Sequence, residues 1–429
     1  MNFTEALEYI SSTTRLGSRL GLGRVLELLG LMDNPQKKCK YVHVAGTNGK
    51  GSTVMMTASV LQKAGFKTGI YISPHLYRYN ERMQIGEAGR DGFNEISDEE
   101  FADITSYVKS KIDTMFQPPT EFEILTAVGF EYFARHECDF AVLEVGLGGR
   151  LDATNVIDYP ECSVIAAIGF DHMAELGHTL ESIAWAKAGI IKPGRPTVLY
   201  DQDQAVIGIV EEECRKMRSE FHVTDSKSIE PLISGSDGQV FRYKGKGDYA
   251  IPLLGAHQLK NASVVLEVID VLRSRGFAIS DEALKDGLRN SFWPGRFEIL
   301  SRDPYFVVDG GHNTQCAETV VANIKEYFPG QKAVMLIGVL ADKEYPEMMD
   351  ILNETADCFV CVTPDSYRAL PAEELAKYLE KFGKPVSYYD TIKDGVEAAR
   401  KLAAETTGVA CAVGSLYMTG DIRACFGKF

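Results

Sequence analysis

The sequence has no apolar run of membrane-spanning length, and its opening, MNFTEALEYI, carries acidic side chains and no basic stretch. Neither a transmembrane helix nor a signal peptide is therefore expected. Positive charge is not in excess either: 45 Lys and Arg against 60 Asp and Glu leave a formal charge of −15. That argues against a general binder of nucleic acid or of an anionic membrane. A nucleotide remains compatible, because its site is built from local backbone dipoles and a few cations. The chain has no short-period repeat and no low-complexity tract. Its nine cysteines are odd in number and scattered, so reduced thiols are expected in place of a disulfide framework. Cys358 and Cys361 form a C-x-x-C without a second pair nearby. They lie in ADCFVCVTP, which reads as a buried strand whose residues three apart point to opposite faces and cannot share a metal. A reduced, cytoplasmic, soluble protein is expected, and 429 residues with 45% apolar content suffice for two or three domains.

What the chain does have is concentrated in Tyr41 to Lys63, YVHVAGTNGKGSTVMMTASVLQK. The run Tyr41 to Ala45 reads as a buried strand, and Ser52 to Lys63 reads as a helix with no Gly or Pro inside it. Between them stand Gly46, Gly49 and Gly51. Glycines let successive backbone N–H groups turn toward one anion, the helix N-terminus adds its dipole, and Lys50 supplies a cation. The Ser52 hydroxyl can reach a phosphate-bound Mg²⁺. A glycine intervenes between Lys50 and Ser52, so the loop is a side branch of the G-x-x-x-x-G-K-[ST] pattern.

Strand and helix signals alternate along the rest of the chain, which predicts a doubly wound α/β architecture. Lys67 to Ser73 reads as a strand, Ser97 to Glu100 as a capping box opening a helix to about Phe116, and CDFAVLEVG, ECSVIAAIG and PTVLY as further strands. HQLKNASVVLEVIDVLRSRG reads as a helix stopped by Gly276. Alternation restarts with YFVVDGG, KAVMLIGVL, DCFVCVT and GVACAVG, four units that make a smaller α/β domain. Trp293-Pro294-Gly295 breaks the chain between them. The expected division is a P-loop, doubly wound ATPase domain over 1–293 and a smaller Rossmann-like α/β domain over 294–429.

Seven blocks in order, GTNGKGS, SPHLYRYNER, LEVGLGGRLDATN, IGFDHMAELGHTLESIAWAKAGIIKPG, PGRF, DGGHN and GSLYMTGDIR, resemble the folylpolyglutamate synthase/dihydrofolate synthase family of the Mur ligase superfamily. The N-terminal LGSRLGLGRVLELLG is similar to that family's LGLER helix. The resemblance covers nearly the whole chain. It implies ATP-driven amide formation: a carboxylate attacks the γ-phosphorus to give an acyl phosphate, and the amino group of L-glutamate displaces phosphate. A cleft between two domains suits such a ligase, which must exclude water from a reactive intermediate.

The resemblance also implies roles for individual residues. Lys50, His172 and Lys187 are the catalytic candidates. Gly49, Lys50, Gly51, Ser52, Asn261, Arg296 and Asp309 are expected at ATP. Ser52, Ser73, Glu144, His172 and Lys187, the last as a carbamate, are expected at two Mg²⁺ ions. Glu144 ends the strand AVLEVG, at the edge where a doubly wound sheet presents ligands, and pairing with Arg150 is its structural alternative. Lys187 lies in apolar AWAKAGII, where burial would depress its pKa and leave an amine able to react with CO₂. The family usually carries Glu before this lysine, and here the residue is Ala186.

Phe122, Glu123, Leu151, Asp152 and Ala153 are the expected folate or pterin contacts, Thr120 and Glu123 also reading as a helix capping box. His312 and Ser415 are assigned to the incoming glutamate, with Gly311 standing where the family has Ala. ATP, L-glutamate, reduced folate and dihydropteroate are the expected partners, with room for a monovalent cation, and a monomer is expected. GLGG at Gly146 to Gly149 does not extend to a dinucleotide fingerprint, since Leu151 stands where the third glycine belongs. Another Mur-type amino-acid ligase is an alternative. A peptidoglycan ligase would need an extra domain ahead of the loop, and 45 residues precede Gly46. A non-catalytic, nucleotide-gated binding protein is the alternative from another class.

Overall fold

The computed structural model describes residues 1–13, 21–406 and 408–428. The first part of LGSRLGLGRVLELLG thus lies outside the described residues, and its second part forms the helix Gly23–Leu31. Eight strands build the larger sheet: β1 (Lys40–Ala45), β2 (Thr68–Tyr71), β3 (Met83–Gly86), β4 (Asn94–Glu95), β5 (Phe140–Glu144), β6 (Cys162–Ile165), β7 (Thr197–Leu199) and β8 (Phe221–Val223). Their spatial order is β4-β3-β2-β5-β1-β6-β7-β8. Strands β2, β5, β1, β6, β7 and β8 run parallel, and β3 and β4 add antiparallel at one edge. After β1 the chain crosses to β2 on one side, and after β6 it crosses to β7 on the other. The carboxyl ends of β1 and β6 therefore flank the topological switch, where open α/β sheets bind ligands.

The central strands β1, β2, β5, β6 and β7 are buried along almost their whole length, as strands covered on both faces must be. One layer is the helix Lys50–Lys63, twelve of whose fourteen residues are buried, and it packs on Asp281–Arg289. That contact is close: a Cβ on Gly287 would come within 2.4 Å of the Val60 Cα, and Ser59 Oγ donates to the Gly287 carbonyl at 2.7 Å. The helix that opens at Asp98 ends at Ile112, ahead of the expected Phe116. Pro118 and Pro119 follow closely and disfavour helical backbone before them.

A second sheet has β12 (Glu298–Arg302), β13 (Tyr305–Val308), β14 (Ala333–Ile337), β15 (Ala356–Cys361), β16 (Val386–Tyr388) and β17 (Val409–Val413) in the order β12-β13-β17-β14-β15-β16. All pairs but β12–β13 are parallel. The four apolar runs read from sequence are β13, β14, β15 and β17. On β15, Cys358 packs in the core on one side of the sheet and Cys361 in the core on the other.

A three-stranded sheet, β9 (Ile229–Gly235), β10 (Gly238–Tyr243) and β11 (Asp248–Ile251), was not expected. The molecule divides into one compact unit of Met1–Glu230, Arg242–Ala250 and Lys260–Ser291, and another of Pro231–Phe241, Ile251–Leu259 and Phe292–Phe429. Two stretches ahead of the Trp293-Pro294-Gly295 break are thus grouped with the second unit. Leu254 explains part of this, since it is buried in the same core as Phe297 and Val307. No described helix is long and apolar enough to cross a membrane.

Candidate active site

The loop after β1 is set by glycine geometry. Gly46 and Gly49 have φ of 155° and 81°, and Gly49 is the left-handed residue that starts the helix at Lys50. A Cβ on Gly46 would stand 2.9 Å from that of Ala166, and one on Gly49 would stand 2.5 Å from Asn261 Oδ1. Glycine here therefore serves both the turn and the close approach of neighbours. The loop is clamped to the segment following β6: Thr47 N and Asn48 N donate to the Ala167 carbonyl at 2.8 and 3.1 Å. The Thr47 hydroxyl meets the backbone of Gly169.

Lys50 Nζ donates to the Thr47 carbonyl at 3.1 Å and lies 3.9 Å from Glu144 Oε1. Glu144, at the end of β5, is 7% exposed, and its other oxygen lies 3.4 Å from the Ser73 amide. Its carboxylate therefore faces Lys50 and Ser73. Arg150, the alternative partner, pairs instead with Glu213 at 2.9 Å and stacks on Trp185. Ser52 is buried in the first turn of the loop helix, beside Gly51.

His172 stands in the left-handed region at φ 52°, ahead of the short helix Met173–Leu176, with its side chain 46% exposed. Asp171 Oδ1 accepts the His172 amide at 2.9 Å. The next helix, Leu180–Ala188, is capped by Thr179 and brings Lys187 inward near its C-terminus. Lys187 is buried and donates to the Gly46 carbonyl at 2.8 Å. Burial, reinforced by the Lys50 charge, pulls its pKa down to about 7 against the smaller opposing pull of Asp171 and Asp152. Ala186 turns its carbonyl to the Arg150 amide at 2.8 Å, joining this helix to the GLGG turn. Lys50, Ser52, Ser73, Glu144, Lys187 and Asn261 thus converge around one loop.

A second group borders the same sheet edge. Thr120 and Glu123 form the reciprocal capping box, and Glu123 is further held by Arg24 at 3.1 Å. Phe122 lies against Gly146, where a Cβ would meet its ring at 2.5 Å, and 6.2 Å from the Tyr71 ring. Leu151 is 44% exposed beside buried Asp152 and Ala153. The Asp152 carboxylate accepts the amides of Leu147 and Thr154 at 2.8 and 3.0 Å and the Thr154 hydroxyl at 2.5 Å. Burial raises its pKa. Behind it, His43 Nε2 meets the Thr154 hydroxyl at 2.8 Å, and complete burial lowers the imidazole to about 3. Sequence reading left His43, Thr47, Asp171 and Arg24 unassigned. A histidine inside an apolar strand was the one local signal among them.

In the second unit, Asp309 follows β13 and accepts the amides of Phe297 and Gly311 at 2.8 and 2.7 Å. Burial raises its pKa against the opposing charge of Arg296, whose guanidinium borders Gly310. His312 Nδ1 approaches the Gly310 carbonyl at 3.1 Å. Gly414 N donates to the Gly311 carbonyl at 3.0 Å, so Ser415, after the neighbouring strand β17, stands beside the same turn. Ser415 is 1% exposed and caps the Tyr417 amide. Asp309, Arg296, His312 and Ser415 therefore share one strand-end cluster.

Comparison with known proteins gives this arrangement its family. Residues 295–416 match the Mur ligase glutamate ligase domain, and 93–269 match the Mur ligase middle domain. The dihydrofolate synthase/folylpolyglutamate synthase of Bacillus subtilis is 35% identical over 433 residues, covering 98% of each chain. The folylpolyglutamate synthase of Mycobacterium tuberculosis, solved with ADP and AMPPCP, superposes with a TM-score of 0.88 at 28% identity over 100% of both chains. An FPGS–AMPPCP–folate complex does so at 0.83 and 30% identity over 99% of both. The chain belongs to the folylpolyglutamate synthase/dihydrofolate synthase family of the Mur ligase superfamily.

Proposed function

We propose that this ATP-dependent ligase adds L-glutamate to the carboxylate of reduced folates and of dihydropteroate, forming an acyl phosphate and releasing ADP and phosphate. The observation that carries the reading is the convergence of Lys50, Glu144, Ser73 and Lys187 on the glycine loop after β1. A loop of backbone donors with one lysine cation suits a triphosphate, and the complexes of relatives with ADP, AMPPCP and folate support the two ligand classes.

In this assignment Gly49, Gly51 and Lys50 cradle the phosphates, with Lys50 drawing charge off the transferred γ-phosphoryl group. Asn261, Arg296 and Asp309 complete the nucleotide contacts. The donor set fits a hard divalent cation, with the Ser52 and Ser73 hydroxyls and the buried Glu144 carboxylate as oxygen ligands; His172, whose side chain is 46% exposed, is assigned as a further ligand. Lys187 fits as a carbamate, because a buried amine with a pKa of about 7 is largely neutral at slightly basic pH. Mg²⁺ held there would neutralise phosphate charge during acyl-phosphate formation. Two such ions are proposed, with a monovalent cation as a further requirement to test.

Phe122, Leu151, Asp152 and Ala153 are assigned to the pterin side of the acceptor. Glu123 is assigned there through the turn it builds, since Arg24 and the Thr120 amide already engage its carboxylate. His312 and Ser415 are assigned to the incoming L-glutamate. A cytoplasmic monomer is the proposed working form. The test is ADP release with dihydropteroate and with tetrahydrofolate, each with and without L-glutamate. Glutamate-dependent release with both is expected. Release with tetrahydrofolate alone would remove the dihydropteroate activity, and release without glutamate dependence would remove the ligase reading.

A further inference from the structure

We propose that Arg82 binds the reacting carboxylate of the acceptor, and so selects acceptors that end in a free carboxylate over neutral ones. This deepens the proposed function and rests on it.

Arg82 lies at the return of the loop SPHLYRYNER, which leaves β2 and re-enters the sheet at β3. Ile72 N donates to the Arg82 carbonyl at 3.0 Å, so the Arg82 backbone runs beside that of Ile72, one residue before Ser73. The loop is pinned by Glu81, whose carboxylate accepts the amides of Leu76, Tyr77 and Arg78 at 2.7 Å each. Within it, Arg82 is 9% exposed. Its Nε–H donates to His75 Nδ1 at 2.9 Å, and its guanidinium lies 5.6 Å from the Tyr79 ring centroid. A ring nitrogen that accepts a hydrogen bond belongs to a neutral imidazole, so His75 does not offset the charge.

Among the described residues, no carboxylate lies within ion-pair distance of Arg82, and only its Nε–H has a hydrogen-bond acceptor. The nearby acids are engaged elsewhere: Glu81 by three amides, Glu121 by the Tyr79 hydroxyl at 3.0 Å, and Asp152 by Leu147 and Thr154. A largely buried guanidinium without an anion is expensive to hold. The terminal nitrogens of Arg82 are not among the enclosed unpartnered atoms, so they retain contact with solvent. Four N–H donors thus remain for a ligand, in a fork that matches a carboxylate.

Position identifies which carboxylate. The Tyr71 hydroxyl feels Arg82, Asp152 and Glu121 together, and its ring adjoins Phe122. On the other side, Ser73 turns its amide to Glu144, which faces Lys50. Arg82 therefore stands between the residues assigned to the pterin and those assigned to the phosphates. The acceptor's carboxylate must occupy that interval to meet the γ-phosphorus.

The experiment compares binding of tetrahydrofolate with its γ-carboxamide, and of dihydropteroate with its carboxamide, to wild type, R82Q and R82K in the presence of AMPPCP. Wild type is expected to prefer the carboxylate by about 10- to 100-fold, the scale of a hydrogen bond to a charged group. R82Q should lose most of that preference while the carboxamide affinities and the KM for ATP stay put, and R82K should keep part of it. Equal weakening of acid and amide in R82Q, or a change confined to the ATP KM, would overturn the assignment. Should R82Q fail to fold, R82K decides, and an undiminished preference there overturns it as well. Wild type that binds neither acid would overturn the folate reading together with this one, whereas wild type with the preference and R82Q retaining it would overturn this one alone.

Discussion

Lys187 and Gly46 are 141 residues apart in sequence and meet through a 2.8 Å hydrogen bond, ammonium to carbonyl, beneath the glycine loop. The contact joins the helix that follows β6 to the turn that follows β1. It also holds a second lysine close enough for Lys50 to lower its pKa.

Lys187 is predicted to carry a carbamate above about pH 7, where its amine loses the proton. Carbon-13 NMR with labelled bicarbonate should show a carbamate signal at pH 8 that fades below pH 7. Lys187→Ala should be nearly inactive and partly restored by formate, which returns a carboxylate to the vacated space. In the uncarbamylated protein the depressed pKa has a linked effect on stability. The unfolded lysine keeps its proton up to its ordinary 10.5, so between about 7 and 10.5 the unfolded state binds more protons and this group makes stability rise with pH. Below about pH 7 its full cost is present. Lys187→Met should flatten that part of the pH–stability curve, and an unchanged curve would refute the burial argument.

Lys50→Ala should lower kcat by at least about 10²-fold with the fold intact, because the cation acts on charge that develops in the transition state. Among the described residues its side chain bonds only to the Thr47 carbonyl and lies 3.9 Å from Glu144, so few contacts are lost. Steady-state kinetics beside a thermal melt distinguishes the two effects. Unchanged turnover in a folded variant would take the loop out of the reaction.

Glu144→Ala and His172→Ala should each raise the Mg²⁺ concentration needed for half-maximal activity, by about 10- to 100-fold if they serve the metal directly. The effect of Glu144→Ala should be the larger, since it also leaves Lys50 without its nearby carboxylate. Activity titrated against Mg²⁺ is the measurement. Identical midpoints would leave His172 as a loop histidine without a metal role.

Gly311→Ala should destabilise the protein, by about 1–3 kcal/mol as for other overpacked sites. A Cβ there would lie 2.6 Å from that of Cys316 and 2.8 Å from Asp309 Oδ1. An alanine here therefore requires the turn or the start of the following helix to shift. Urea denaturation gives the change, and an unmoved midpoint would show that the turn adjusts freely.

The parts legible in the sequence were those whose causes are local. The strand, glycine turn and helix around Lys50 follow from adjacent residues, as does the Thr120–Glu123 cap, and alternation along β15 places Cys358 and Cys361 on opposite faces. What escaped reading depends on distant partners. Arg24 finds Glu123 across 99 residues and His43 finds Thr154 across 111, and neither spacing leaves a mark in composition or period. Strand β9 escaped for another reason: IEPLISG is almost wholly solvent-facing, so it lacks the alternation that announces a half-buried strand. The edge strand β16 is three residues long, too short to carry a pattern.

The interleaving of the two compact units bears on how the protein can be taken apart. The second unit draws Leu254 into its core, the Gly255 amide donates to the Tyr327 hydroxyl at 2.8 Å, and the Ser234 hydroxyl donates to Glu326 at 2.5 Å, all from stretches ahead of residue 292. A fragment begun at 292 would leave those partners behind. Chimeras that exchange the glutamate ligase half between related enzymes by one crossover would inherit mismatched pieces at Pro231–Phe241 and Ile251–Leu259. The transplantable module is a set of three chain segments.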